Sequence, residues 1–178
     1  WDAFPLVRAG TLAGLLGERW FDFSAHQSLG TLSAHVTQCM LGLGGRAVVM
    51  MDQGCGDNQV VRVHHAPRLM PQADALITRV SQLVLLVRSA DCLPIIVYDA
   101  LHHQAAVIHA GWSGLMAHII GRTIKQMRTP AAQLSVWIGP GISAHYYQVG
   151  SDFRQRWLAI YPHDADCFRQ HVGRYYFD

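Results

Sequence analysis

No stretch of this 178-residue sequence approaches the ~20 consecutive apolar residues that a membrane-spanning helix requires. Nor does it open with the layout of a secretory signal: Asp2 and Arg8 interrupt the first apolar residues, and no hydrophobic region follows. The expectation is a cytoplasmic protein. Charge is also scarce. Charged residues make up 15% against 51% hydrophobic ones, and the formal net charge is +2. That composition excludes a disordered polyelectrolyte. With its basic residues scattered along the chain, it gives no footing for nucleic-acid binding either. Cys39, Cys55, Cys92 and Cys167 form no CxxC pair. Without a secretory signal they read as reduced thiols rather than two disulfides. The 11 histidines include no His-x-His pair, which argues against a conventional multicopper oxidase with several coppers. Repeats, low-complexity tracts and Pro/Gly/Ser linkers are absent too. Residues 1–178 therefore read as one domain, long enough to bury a core. The chain opens on Trp1 and stops on GRYYFD, so the expectation is a domain incomplete at both ends.

What is present has the pattern of strands. RAVVMMD (46–52) and NQVVRVHH (58–65) are rich in β-branched residues, and the intervening QGCGD reads as a tight turn or loop. QLVLLVRS (82–89), LPIIVYDA (93–100) and QAAVIHA (104–110) are continuously apolar, as strands buried on both faces are. Leu115, Ile119, Ile120, Ile124 and Met127 recur at helical spacing, with Arg122 and Lys125 facing away. This predicts one helix from about Gly114 to Arg128, ended by Pro130. LSVWIGP (134–140) is a further strand running into Gly139-Pro140-Gly141. Ser151 is placed to cap a second helix, DFRQRWLAIY, closed by Pro162. Strands outnumber helices, and several connections are too short for a helical crossover, so the class is α+β with mixed sheets. Residues 1–45 carry no clear pattern.

Two of these strands would bring a thiol and an imidazole together. Cys92 lies just before Leu93-Pro94, where proline interrupts ladder bonding. His109 closes AAVIHA, and Gly111 permits a sharp turn after it. Cys55, in its glycine-flanked loop, is a third candidate for the same edge. Three chemistries stay open from the residues alone. A Cys2His set of Cys55, Cys92 and His109 suits a catalytic zinc with one open position. Alternatively, His109 activates Cys92 as a nucleophile while Asp91 or another carboxylate orients the ring, and the following helix lowers the thiol pKa. The third reading is structural: a buried cysteine is commonly a small hydrophobe, and a strand-end histidine a polar cap. His64-His65 and His102-His103 read as solvent-facing turn residues. Trp112 is placed either to stack on a ligand ring or to pack in the core. The Gly139 turn is either an anion-binding backbone or a plain turn.

The segments QADALITR, RSADCLPIIVYD, AVIHAGWSGL and WIGPGISAHYYQVG occur here in the order and spacing of a known family. Over about residues 46–150 the chain resembles the laccase-domain family. That family is also called multicopper polyphenol oxidase-like or peptidoglycan editing factor, and includes purine nucleoside phosphorylases. The resemblance implies an α/β/β/α layered domain, related in shape to a group of cysteine hydrolases. It also implies a Zn2+ site, with Cu2+ the less favoured metal. Cys92 of the ADC motif and His109 of the HAGW motif match two ligands. The family's third ligand is the histidine of a Gln-Val-His-Gly motif, which here reads Gln53-Gly54-Cys55-Gly56. Cysteine thus replaces histidine, adding negative charge. Ser113 stands where Arg or Lys commonly follows HAGW, removing a cation that would favour phosphate. The family's Arg/Gly-rich N-terminal motif and its C-terminal cysteine and arginine motif are not visible.

The implied activity is phosphorolysis of adenosine, inosine and methylthioadenosine, with adenosine deamination as a side activity; a metal-activated water suits the latter. The partners would be a purine nucleoside and phosphate, with no nucleic acid and no membrane. Arg88, Gln53, Trp112 and Gly139 are the candidate substrate-binding residues, and Cys92, His109 and Asp91 the candidate catalytic ones. Two other classes compete. One is a Cys–His hydrolase or amidase editing peptidoglycan precursors; the other is a catalytically degenerate member. A polyphenol oxidase is less favoured, because one cysteine-rich site does not supply several coppers.

Overall fold

A computed structural model describes residues 47–53 and 58–178. The readings made for residues 1–46, and those for Cys55 and its loop neighbours, fall outside the described residues.

In chain order the strands of the main body are Ala47–Met50 (β1), Val60–Arg62 (β2), Ala75–Thr78 (β3), Leu83–Leu86 (β4), Leu93–Asp99 (β5), Gln104–Ala110 (β6) and Leu134–Ile138 (β7). The apolar runs thus form strands, and the α+β class with mixed sheets holds. β3 is an addition: its four apolar-face residues sit between Asp74 and Arg79, too short a run to stand out. β2, β3, β6, β5 and β7 lie side by side in that order. β2 pairs parallel to β3, and the other neighbours are antiparallel. β1 and β4 form a separate parallel pair.

The period of two explains why the central strands are apolar throughout. Ala75, Ile77, Ile95, Val97, Ala106 and Ile108 project to one face and pack with Ile119 and Met127. Leu76 and Val107 project to the other face, where Val49, Met51, Leu83 and Leu85 of the β1–β4 layer cover them. Leu76, Ile77 and Ile108 are fully buried, each contributing about 1.5–3 kcal/mol relative to exposure. The α/β/β part of the expected layering is therefore formed.

The single helix expected over 114–128 is two. Trp112–Met116 (α1) stops after five residues, His118 adopts a left-handed conformation at φ 57°, and Ile119–Met127 (α2) follows. The Leu115 carbonyl explains the break. It accepts the His118 N–H at 2.9 Å and the Tyr161 hydroxyl at 2.7 Å instead of continuing the helical ladder. The kink turns Ile119 fully into the core.

The C-terminal part forms a second body of contacts. Gln148–Val149 (β8), Phe168–His171 (β9) and Arg174–Phe177 (β10) make an antiparallel sheet with β10 in the middle. Ser151–Ile160 (α3) lies against it through Phe153, Trp157 and Phe177. Gly150, not Ser151, is the N-cap, and no side chain caps this helix. The Trp157 and Phe177 rings approach edge to face, with centroids 4.5 Å apart. No helix among the described residues is long and apolar enough to cross a membrane.

Candidate active site

His109 is the sixth residue of β6, opposite Pro94 at the start of β5. Cys92 immediately precedes β5, so strand pairing brings the thiol and the imidazole to one edge of the sheet. Gly111 records their convergence. A Cβ on that glycine would lie 3.1 Å from Cys92 Sγ, 3.6 Å from His109 Cε1 and 3.8 Å from His109 Nε2. Both donor atoms thus border one small space, and glycine is the residue that leaves it open.

The imidazole is held from behind. His109 Nδ1 lies 2.9 Å from Asp74 Oδ1, and the His109 backbone N–H donates to the Asp74 carbonyl at 2.7 Å. Asp74 is buried and precedes β3. An ionised carboxylate only accepts, so it fixes the proton on Nδ1 and leaves the Nε2 lone pair free on the ring edge that borders Gly111. This is the arrangement that metal-ligating histidines commonly have. Asp74 stands in QADALITR, but nothing in the sequence joins its side chain to His109; the register of β3 on β6 does. Asp91 is exposed, and its carbonyl accepts the Ile142 N–H at 2.8 Å. The carboxylate bound to the His109 ring is therefore Asp74.

Cys92 is half-buried and unbridged. Burial pushes its thiol pKa up, and the negative charges of Asp91 and Asp74 push it further. A bound cation would reverse both influences, whereas a cysteine nucleophile needs the opposite shift. The helix expected to lower that pKa is the short α1. Tyr147 is a site neighbour that the sequence reading did not single out. Its hydroxyl is pushed to higher pKa by burial first and then by Cys92 and Asp91.

The Gly139-Pro140-Gly141 segment supports the cysteine. The Gly139 N–H donates to the Pro94 carbonyl at 2.8 Å, so this backbone donor is occupied. Added Cβ atoms would stand 2.8 Å from Pro94 Cγ at Gly139 and 2.7 Å from Leu93 Cδ2 at Gly141. The Ser89 hydroxyl also donates to the Cys92 carbonyl.

Gln53 and Arg88 meet through the backbone of Arg88. The Gln53 amide donates to the Arg88 carbonyl at 2.7 Å, and its oxygen accepts the Arg88 N–H at 2.8 Å. Arg88 Nε is buried with no hydrogen-bond partner among the described residues, a cost that a bound anion would remove. Trp112 is 43% exposed, touches the Phe153 ring edge-on, and lies under the Arg156 guanidinium. Asn58, which follows the loop holding Cys55, has its side-chain oxygen 3.2 Å from the place of a Cβ on Gly114.

Zinc fits this donor chemistry in part. Cys92 and His109 supply a soft thiolate and an oriented imidazole. No group of three or more His, Cys, Asp or Glu side chains suited to a metal occurs among the described residues; the third donor expected, Cys55, lies outside them.

The family model for multi-copper polyphenol oxidoreductase laccase matches residues 31–178. A purine nucleoside phosphorylase of Xylella fastidiosa strain 9a5c is 40% identical over 82 residues, covering 46% of this chain and 32% of that protein. Purine nucleoside phosphorylase YfiH of Escherichia coli K12 is 29% identical over 119 residues, covering 67% and 49% respectively. The crystal structure of Neisseria meningitidis protein NMB0706 superposes with a TM-score of 0.72 at 29% identity, covering 82% of this chain and 59% of that one. The chain spans about a third to a half of the length of these curated relatives.

Proposed function

The chain belongs to the multi-copper polyphenol oxidoreductase laccase family, and from that premise we propose that it is a purine nucleoside phosphorylase dependent on zinc. Cys55, Cys92 and His109 would hold the metal. The observation that carries this reading is the convergence of Cys92 Sγ and His109 Nε2 beside Gly111, with Asp74 fixing the imidazole proton. The relatives named purine nucleoside phosphorylase support the substrate class.

The residues divide the work as follows. Asp74 holds the His109 tautomer, and Gly111 keeps the space beside the thiol clear. Trp112, partly exposed and next in the chain to Gly111, is the ring on which a purine would stack. Arg88, whose buried Nε has no partner among the described residues, is the cation that would take phosphate. When bound, zinc supplies Lewis acidity toward an oxygen of the substrate. Adenosine and methylthioadenosine as substrates, with deamination as a lesser activity, belong to the same proposal. A reducing, cytoplasmic setting suits the free thiols Cys92 and Cys167.

The test is phosphate-dependent release of hypoxanthine from inosine by the purified chain, paired with metal analysis before and after chelation. Near-stoichiometric zinc with chelator-sensitive release is the expected result. A zinc-loaded, folded chain without turnover would overturn the activity and leave a metal-binding, catalytically degenerate member. Activity insensitive to chelation but abolished by thiol alkylation would instead identify the Cys–His hydrolase chemistry.

A further inference from the structure

The larger basic feature of the molecule is not at the thiol–imidazole edge. A cavity of about 670 Å³ opens at the other end of the five-stranded sheet, lined by Arg62, Arg79, Lys125 and Arg128 together with His64. Gln126 and Met127 complete its wall. The register fixes the separation. Arg62 stands opposite Ile77, which pairs with Ala106, and the Arg62 side chain reaches Gln104 at the start of β6. His109 is near the other end of that strand, so the two places are separated by roughly 15–17 Å of strand at ~3.4 Å per residue.

This cavity is built rather than incidental. Arg62 Nη1 donates to the fully buried Gln104 side chain at 2.5 Å, and Arg62 Nη2 donates to the Gln126 carbonyl at 2.7 Å. The other half of the Gln104 amide donates to the Met127 carbonyl at 2.9 Å. One guanidinium is thus locked between β2, β6 and α2, its remaining donors directed by that anchorage. Arg79 follows β3, and Lys125 and Arg128 end α2, so three elements bring cations to one concavity. Lys125 is the only lysine in the sequence.

Among the described residues these charges have no counter-charge. None of the four cations has an ion pair among the described residues. Asp99, the carboxylate at this end of the sheet, spends its oxygens on Leu101, His102 and Thr129. The Arg62 pKa is lowered by burial and by repulsion from Arg79 and Arg128. Like charges gathered at a concave surface without a counter-charge cost stability, and a multivalent anion would relieve that cost.

We propose that this cavity is a second binding site, separate from the Cys92–His109 edge, whose ligand is a polyphosphate group of two or more linked phosphates. Its volume lies in the ~300–1,000 Å³ range of small-molecule pockets. Guanidinium groups pair bidentately with phosphate oxygens, and four separate cations exceed what one phosphate would engage. Among the described residues no Phe, Tyr or Trp lines the cavity and His64 is its one ring, so cations outnumber stacking surfaces and the site reads chiefly the phosphates. A chain with a net charge of only +2 has no extended stripe for a nucleic-acid backbone. The inference does not depend on the purine-nucleoside reading.

The test is calorimetric titration of the whole chain with pyrophosphate, tripolyphosphate, ATP and inorganic phosphate, at low and high salt. Pyrophosphate and tripolyphosphate should bind at least about tenfold more tightly than inorganic phosphate and weaken with salt. The double variant Arg79→Ser with Arg128→Asn should weaken pyrophosphate binding by about 100-fold without lowering the melting temperature, since it also relieves like-charge repulsion on Arg62. Asparagine is chosen because Arg128 sits at φ 60°, a conformation asparagine tolerates. His109→Ala should leave pyrophosphate binding intact. Comparable affinities for ATP and tripolyphosphate would assign the source to nucleotide tails, and weak ATP binding would assign it to free polyphosphate. Absence of saturable pyrophosphate and tripolyphosphate binding would overturn the site. So would equal pyrophosphate binding by the double variant, or loss of that binding in His109→Ala.

Discussion

Two aspartate–histidine pairs stand at opposite ends of the same sheet and do different things with the same chemistry. Asp99 ends β5 and His102 lies three residues on, in the turn to β6, with Nδ1 2.7 Å from Oδ2. The fully buried Asp99 carboxylate also accepts the N–H groups of Leu101 and His102 and the Thr129 hydroxyl. Its histidine is an accessory, with the side chain 42% exposed. Asp74 and His109 lie 35 residues apart, and the carboxylate acts chiefly on the ring. That ring is only 20% exposed and shares the space beside Gly111 with a thiol. The lesson is that the pair alone says little. What else the carboxylate binds, and what the free imidazole nitrogen faces, separate a turn anchor from a candidate active site.

The largest expected effect falls on the structural pair. Asp99→Ala removes a buried acceptor from several donors at once and should cost about 3–5 kcal/mol in urea unfolding at neutral pH. Turnover per folded molecule should not change. A loss no greater than that of Asp74→Ala would erase the contrast. The same pair sets an acid response. Burial pushes the Asp99 carboxyl up, but the hydrogen bonds from Thr129 and His102 outweigh it and hold the pKa at about 2, below the ordinary 3.8. The unfolded chain therefore binds this proton more readily. The stability contributed is complete above about 3.8 and is lost as pH falls toward about 2. Asp99→Asn should flatten that acid limb, and a limb of unchanged steepness would refute the assignment.

The site pair should show the reverse split. Asp74→Asn keeps shape but removes the charge that fixes the His109 tautomer. Zinc affinity and kcat/KM should each fall about 10–100-fold, for only about 1 kcal/mol of stability. A mainly structural Asp74 would give the opposite result: a large drop in unfolding free energy with affinity and kcat/KM intact.

The sequence made the central sheet legible because β5 and β6 are apolar on both faces, and two-sided burial leaves that mark. β3 escaped notice because four residues between Asp74 and Arg79 are too few to show a period. The break at His118 was invisible because the helical spacing of Leu115, Ile119 and Ile120 survives it. Its cause, the Tyr161 hydroxyl on the Leu115 carbonyl, comes from 46 residues away. Cys92 and His109 were readable as strand-end residues, and the structure brings them together. Asp74 and the Arg62–Arg128 cavity were not readable, since each is assembled by strand register rather than by neighbours in the chain. Scattered basic residues in the sequence became one concave cluster in the fold.

The smallest expected effect tests the space beside the thiol. Gly111 has φ −78° and ψ 166°, a conformation open to any L-residue, so Gly111→Ala introduces no backbone strain. Its new methyl would sit 3.1 Å from Cys92 Sγ, and either the sulfur or the turn must yield by a few tenths of an ångström. Stability should change by less than about 1 kcal/mol. Zinc affinity should fall several-fold, because the methyl fills the space that Cys92 Sγ and His109 Nε2 both border. The comparison control is Gly121→Ala in α2, where no described atom beyond the helix's own backbone lies within 4 Å of the added Cβ and helix propensity favours alanine. That variant should be slightly stabilised with metal affinity unchanged. If both substitutions leave affinity untouched, the space between Cys92 and His109 is not where a metal sits, and Asp74–His109 becomes a second turn-like anchor rather than the counterpart of Asp99–His102.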